Sequence, residues 1–212
     1  MLGANGAGKT TTLRAISGLI RPWSGEIHFD GRRLRQTSPE VRALMGLGHV
    51  PEGRGIFSTL TVEENLMLGV TARRDKGADA VRDRRRLLEL FPLLGEKLRM
   101  PASSLSGGQQ QMLALARGLM GRPQLLMIDE LSFGLAPIMV NGLFELIREI
   151  RKDGTAFLLV EQNAGVLAIS DRTYVIAGGR SVLEGASAEL IKQNGRDRLA
   201  RVYLSAGTDL DS

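Results

Sequence analysis

The sequence predicts an α/β protein, a mainly parallel sheet flanked by helices. Three observations carry this. Two runs, at 125–128 and 156–160, are continuously apolar at strand length, as strands covered on both faces must be. Amphipathic helical spacing alternates with them along the chain. A glycine-rich turn, GANGAGKT at 3–10, opens directly into a segment with helical spacing.

Each element has a local reason. Residues 10–19 have helical spacing, stopped by Gly18 and then Pro22. GEIHFD at 25–30 is a short strand turning at Asp30 and Gly31. Ser38, Pro39 and Glu40 open a helix, with a hydroxyl at the N-cap, proline at the first helical position and an acid in the first turn. Residues 47–50 form a strand that Pro51 ends. Thr61 to Glu64 is a capping box for a helix running to about Arg73.

From about 71 to 100 the chain turns rich in leucine and charge. Leu87, Leu88, Leu90 and Phe91 hold helical spacing, and Pro92 breaks it. The expected organisation is one domain over 1–212, with 53–105 as an inserted helical subdomain on the signature side. Ser106 and Gln109 form a second capping box ahead of Met112, Leu113, Leu115, Ala116 and Leu119, and Gly121 and Pro123 stop that helix. After strand 124–128 come a helix at about 137–152, strand 155–160 and a short helix. A hairpin at about 173–184 turns at Gly178 and Gly179, and small helices close the chain.

Composition excludes several classes. A chain of 212 residues that is 43% hydrophobic and 24% charged suits a globular protein with a sizeable core. No apolar run has the length of a membrane span. The opening MLGANGAGKT is not a secretory leader. The absence of cysteine excludes a disulfide scaffold and thiolate metal sites. The net charge of +5 comes from basic residues spread along the chain. The one dense run, RDRRR at 82–86, reads as a solvated helix face, and none of the nine aromatics is interleaved with it for base stacking. No nucleic-acid partner is expected. His28 and His49 lie in strand-like segments without a metal-ligand partner, and Trp23 is expected to pack at the base of the first helix.

The chemistry sits in three places. GANGAGKT fits the phosphate-binding pattern G-x-x-x-x-G-K-[ST]: the glycines let several amides converge on one anion, and the following helix adds the positive end of its dipole. Lys9 can reach terminal phosphates, and the Thr10 hydroxyl can ligate Mg²⁺. LLMIDE at 125–130 is an apolar strand ending in two carboxylates. Asp129 suits a Mg²⁺ partner, and Glu130 is placed to take a proton from water attacking a γ-phosphate. LSGGQ at 105–109 is a second helix N-terminus with exposed amides, hence a second anion site. One nucleotide needs only one such loop.

The run LSGGQ between a phosphate loop and a strand ending in Asp-Glu resembles the ATP-binding cassette (ABC) transporter ATPases over essentially the whole chain. VPEGRGIFSTLTVEENL at 50–66, QQQMLALARGLM at 109–120, SFGLAP at 132–137 and VEQNA at 160–164 look like the LivF-type ATPases of branched-chain amino-acid uptake, as does the ending Val202-Tyr203-Leu204. The resemblance implies a P-loop NTPase fold of cassette type. It implies ATP held by Asn5, Gly6, Ala7, Gly8, Lys9, Thr10 and Thr11, with Ser106, Gly107, Gly108 and Gln109 capping the nucleotide of a second cassette. Glu130 is the implied catalytic base, with Glu52 at the Q-loop glutamine position and Gln162 at the switch-histidine position. Thr10, Asp129 and Glu52 serve Mg²⁺. Ala136 replaces the D-loop aspartate, and Leu131 replaces a proline that stiffens the turn, so a less firmly held Glu130 is expected.

The implied partners are a second ATPase subunit, integral membrane permeases and, indirectly, a periplasmic or extracellular solute-binding protein. The implied place is the cytoplasmic face of the cell membrane. Uptake of urea or another small amide is the alternative within the family. A soluble kinase or GTPase with the same loop gives no reason for LSGGQ, and no guanine-reading Asn-Lys-x-Asp occurs. Resembling ATPases place an antiparallel strand pair, an adenine-stacking aromatic and a central strand ahead of the phosphate loop, where only Met1 and Leu2 stand here. The resemblance thus implies a cassette lacking its N-terminal strands, of low stability and weak ATP affinity. An inactive fragment is the third reading.

Overall fold

The computed structural model describes residues 1–73 and 77–192. Helix α1 (Lys9–Ser17) follows the glycine-rich turn and leads to a two-residue antiparallel pair, β1 (His28–Phe29) and β2 (Arg32–Arg33). Next come α2 (Pro39–Leu44), β3 (Leu47–Val50), α3 (Val62–Leu68), α4 (Ala78–Leu90), α5 (Pro92–Gly95), α6 (Gly107–Met120) and β4 (Leu125–Asp129). Then α7 (Pro137–Arg151), β5 (Ala156–Val160), β6 (Arg172–Ala177), β7 (Arg180–Ala186) and α8 (Ser187–Ile191) complete the described chain. The ending 202–204 lies outside the described residues.

Strands β3, β4 and β5 form a parallel sheet in that order, with Val50 opposite Ile128 and Asp129 opposite Val160. Their C-terminal ends therefore share one edge, the place where open α/β sheets hold ligands. Side chains alternate across the sheet. Met127 and Val160 pack with Leu13 of α1 on one face, while Leu126 and Ile128 pack with α6 and α7 on the other. Burial on both faces explains why β4 reads as an unbroken apolar run.

The helix starts follow the sequence. Thr61 and Ser106 both close reciprocal capping boxes, with Glu64 and Gln109. Ser38 accepts from the Val41 amide, with Pro39 at the first position of α2. Gly18 ends α1 in the left-handed region, φ 83°. Three expectations shift. The helix expected to reach residue 73 ends as an α-helix at Leu68 and tightens into a 3-10 turn at Gly69–Ala72. There Gly69 presses on α6 so closely that a Cβ would sit 2.1 Å from the Arg117 carbonyl. The strand at 25–30 shrinks to β1, because its one ladder partner is the two-residue β2. Trp23 does not pack under α1; it is fully exposed in the loop between α1 and β1. Of the RDRRR run, Arg82, Arg85 and Arg86 are exposed as expected, with Arg82 paired to Asp79 and Arg86 to Asp153, while Asp83 and Arg84 are half-buried, Arg84 paired to Glu63.

Leu2 lies between β5 and β6 and bridges both in parallel, beside Glu161 and Val175. Its amide donates to the Tyr174 carbonyl at 2.8 Å, and its carbonyl accepts from the Ile176 amide at 2.7 Å. Behind it, 155–159 and 171–174 flank a cleft of about 460 Å³. The hairpin β6–β7 turns at Gly178 and Gly179 as predicted. Among the described residues no helix is long and apolar enough to cross a membrane.

Candidate active site

The turn at 3–8 wraps the N-terminus of α1 at the C-terminal edge of the sheet. Gly3 is required by close approach: a Cβ there would sit 2.3 Å from the Ile176 carbonyl. Gly8, the N-cap of α1, has φ 101°, a conformation only glycine adopts without strain. The turn leans on the hairpin through the Gly179 amide, which donates to Ala7 O at 3.0 Å. The first amides of α1 have no acceptor within their own helix and stand free for an anion. Asn5, Gly6 and Thr11 are exposed on this turn, Gly8 and Thr10 are half-buried, and Ala7 is buried.

Lys9 is only 4% exposed, and its ammonium donates to the carbonyls of Gly3 at 3.0 Å and Ala4 at 2.8 Å. It lies 3.8 Å from Glu130 Oε1. A buried cation at the mouth of a ring of amides is an anion-binding arrangement.

Asp129, at the end of β4, is 1% exposed. Burial pushes its carboxyl above the ordinary carboxylate range. A hydrogen bond from the Thr10 hydroxyl opposes that rise, and the Glu130 charge adds to it. Its Oδ1 is buried without a partner. An orphaned carboxylate oxygen beside a threonine hydroxyl fits a divalent cation or a water held by one. No cluster of three acidic or histidine side chains occurs among the described residues.

Glu130 sits just past β4 with φ 53°, a left-handed conformation that costs a non-glycine residue about 1–2 kcal/mol. Its amide donates to Val160 O at 2.9 Å. Gln162, just past β5, donates its side-chain amide to Glu130 Oε1 at 2.8 Å and to Asn5 Oδ1 at 2.6 Å. Three segments remote in sequence thus meet at one carboxylate. Leu131 follows Glu130 in this turn. It is 1% exposed within the main core, so the turn is anchored by burial where a proline would stiffen it.

The second candidate anion site, at the N-terminus of α6, stands apart from the glycine turn. Ser106 is exposed and caps α6, while Gln109 accepts from the Ser106 amide at 3.0 Å and from Lys97 at 3.2 Å. Gly108 is buried, and a Cβ there would meet Met139 at 2.7 Å. Among the described residues, no hydrogen bond or ion pair links 106–109 to 3–10.

A sequence profile described as ABC transporter matches residues 1–132, more than half of the chain. The chain belongs to the ABC transporter ATP-binding family. It is 43% identical over 192 residues to the high-affinity branched-chain amino acid transport ATP-binding protein BraG of Pseudomonas aeruginosa, covering 90% of this chain and 82% of that protein. It is 35% identical over 202 residues to the probable branched-chain amino acid transport ATP-binding protein LivF of Archaeoglobus fulgidus, covering 94% and 84%. It is also 33% identical over 207 residues to the lipopolysaccharide export system ATP-binding protein LptB of Escherichia coli, covering 96% and 84%. Among solved structures, the ADP conformation of an ABC transporter cassette superposes with TM-score 0.82 at 26% identity, covering 96% of this chain and 85% of that one. The LivF-type resemblance and the cassette fold are both borne out.

Within the cassette, the departures from the general family pattern have definite places. Glu52 lies exposed in the turn after β3, on the same sheet edge as Asp129, and makes no hydrogen bond or ion pair among the described residues. Ala136 is the N-cap of α7 and supplies no capping side chain. Two residues escaped the sequence reading. Arg54, with φ 71°, donates to Gln110 at 2.7 Å and lies against Gly107, tying the Glu52 turn to the α6 N-terminus. Glu161 is buried and binds Ser132. The signal that exposed Asp129, an acid closing an apolar strand, also marks Glu161.

Proposed function

We propose that this cassette binds and hydrolyses ATP to power import of branched-chain amino acids through separate membrane permease subunits. One observation carries the reading: Lys9, Thr10, Asp129, Glu130 and Gln162 converge at one sheet edge around the glycine turn. In this reading the loop amides and Lys9 hold the triphosphate. Glu130 takes a proton as the water oxygen bonds to the γ-phosphorus and the bond to the β-phosphate oxygen breaks, releasing ADP and phosphate. Thr10 and Asp129 would hold Mg²⁺, with Glu52 on the same edge. The ion, when bound, neutralises charge on the phosphates.

The separation of Ser106–Gln109 from the glycine turn supports a head-to-tail dimer, each α6 N-terminus capping the nucleotide of the other subunit. A cleft of about 530 Å³ between β3, α3 and α6, lined by Leu19, His49, Phe57, Leu68 and Arg117, supports a permease docking face, on the cytoplasmic side of the membrane. The choice of solute rests on the BraG and LivF likeness, and the LptB likeness makes lipid export the competing reading.

The test is magnesium-dependent ATP turnover together with ATP-dependent dimerisation of Glu130→Gln. Turnover in the wild type and a trapped dimer in the variant are expected. A variant that hydrolyses ATP at the wild-type rate removes Glu130 as the base. Leucine-stimulated turnover with reconstituted permease, against none with lipopolysaccharide, decides the solute.

A further inference from the structure

We propose that Glu161 is a positioning residue for hydrolysis, its buried carboxylate clamping Ser132 and so fixing the turn that presents Glu130 to water. The inference rests on the ATPase reading above. Glu161 is 1% exposed. Its Oε1 accepts from the Ser132 amide at 3.0 Å and its Oε2 from the Ser132 hydroxyl at 2.5 Å. The Leu131 amide donates to it as well. Its own amide donates to Met1 O at 3.0 Å, so the clamp stands on the segment leading into the glycine turn.

The geometry needs such a clamp. Glu130 has φ 53°, and a non-glycine residue stays there only when its surroundings over-determine it. The Val160 carbonyl holds its amide from behind. Ahead of it, Leu131 is buried and its amide donates to Glu161, and Glu161 accepts two more bonds from Ser132. A buried carboxylate is an expensive way to hold a loop, because apolar packing would do so without desolvating a charge. What the carboxylate adds is direction: two acceptors fix both the position and the rotation of the turn. Gln162, the next residue, donates to the same Glu130. Glu161 and Gln162 therefore hold Glu130 from its backbone side and its carboxylate side. The charged groups facing Glu161 are the Met1 ammonium and Glu130.

The experiment compares Glu161→Ala, Glu161→Gln and Ser132→Ala in the full chain. It reads kcat and KM for MgATP, ATP affinity by fluorescence and amide exchange along 125–135. Glu161→Ala is expected to lower kcat about tenfold or more, since misplacing a reacting group by about an ångström costs up to about a hundredfold. KM and ATP affinity stay within about twofold of wild type. Protection at 131–132 is lost while 125–129 keep theirs. Glu161→Gln keeps an acceptor for the Ser132 amide and a donor for its hydroxyl, and restores most of kcat. Adding Ser132→Ala to Glu161→Ala lowers kcat no further.

An unchanged kcat in Glu161→Ala overturns the proposal. So does a glutamine variant no better than alanine, or protection lost equally across β4. If the wild type turns over no ATP, the ATPase reading fails by itself. The exchange pattern still decides the clamp: loss confined to 130–135 upholds it, and uniform loss overturns it.

Discussion

Gln162 donates its side-chain amide to Glu130 Oε1 at 2.8 Å. The same nitrogen donates to Asn5 Oδ1 at 2.6 Å, so one neutral group joins the glycine turn to the carboxylate. A histidine in this place would change charge near neutral pH, whereas an amide does not. Gln162→Ala is expected to lower kcat about tenfold with ATP affinity unchanged, since it removes orientation and leaves the phosphate contacts in place. Gln162→His is expected to add an inflection to the pH–rate profile near about 6.5, where the imidazole loses its proton. Wild-type and histidine profiles of the same shape between pH 5.5 and 8 would refute the role of the amide.

Folding raises the Asp129 carboxyl above its ordinary range. Burial first, then the Glu130 charge, raise its carboxyl against the opposing Thr10 bond. A carboxyl whose pKa is raised on folding favours the native state below its unfolded value of 3.8, and that contribution is lost as pH rises through the folded value. At neutral pH the ionised group is therefore a cost. Asp129→Asn is expected to raise the melting temperature at pH 7 by a few degrees and to narrow that advantage in acid, while magnesium-dependent turnover falls to background. Thermal melts at pH 7 and pH 4, with and without MgATP, check both halves.

Local signals were legible where the chemistry is local. Thr61 with Glu64 and Ser106 with Gln109 announce their helices because a capping box spans four consecutive residues. Lys9, Thr10, Asp129 and Glu130 were legible because a glycine turn and an acid-terminated apolar strand are short patterns. Arg54 was not, because its partner lies 56 residues away and sequence spacing carries no such pairing; Glu161 closes an apolar strand as Asp129 does, but its pairing with Ser132, 29 residues away, lies outside that short pattern. Trp23 misled because an aromatic after proline suggests packing, whereas its loop follows a helix end and faces solvent. Leu131 stands where a proline would stiffen the turn; it is buried in the core, and the bonds that orient the turn come from Glu161.

Asp83 ties α4 to the body of the cassette. Its carboxylate lies 2.7 Å from Arg122 Nε and 2.5 Å from Arg73 Nη1, and the Arg73 side chain is 1% exposed. Burial pushes the Asp83 carboxyl up, but the Arg122 and Arg73 bonds outweigh it and leave it below the ordinary range. This contribution is present above 3.8 and lost as pH falls through the lowered folded value. Asp83→Asn removes the charge beside a buried guanidinium, at a cost of about 1–3 kcal/mol at pH 7. Urea melts of the two proteins are expected to differ at pH 7 and to converge as pH falls below 3.8 and through the lowered folded value. A gap that persists in acid would mean that lost packing, not charge, is responsible.

Leu2 bridges β5 and β6, and the cleft of about 460 Å³ behind it is bounded by two strands that do not pair with each other. The Met1 ammonium donates to Leu159 O at 2.6 Å inside that cleft. Burial lowers its pKa from 8.0 to about 6, against the opposing pull of Glu161. The folded state therefore prefers the neutral amine. Its stability is greatest above 8.0 and declines as pH falls through about 6, by up to about 3 kcal/mol. A graft of about five residues alternating valine and threonine ahead of Met1 would run parallel to both strands, pair with their inner edges and carry the ammonium out to solvent. The grafted protein is expected to melt several degrees higher than the parent at pH 8, to lose the decline between pH 8 and pH 6, and to bind ATP more tightly as the glycine turn is held from behind. A graft that leaves both the melting temperature and its pH slope unchanged would show that the cleft does not accept a strand.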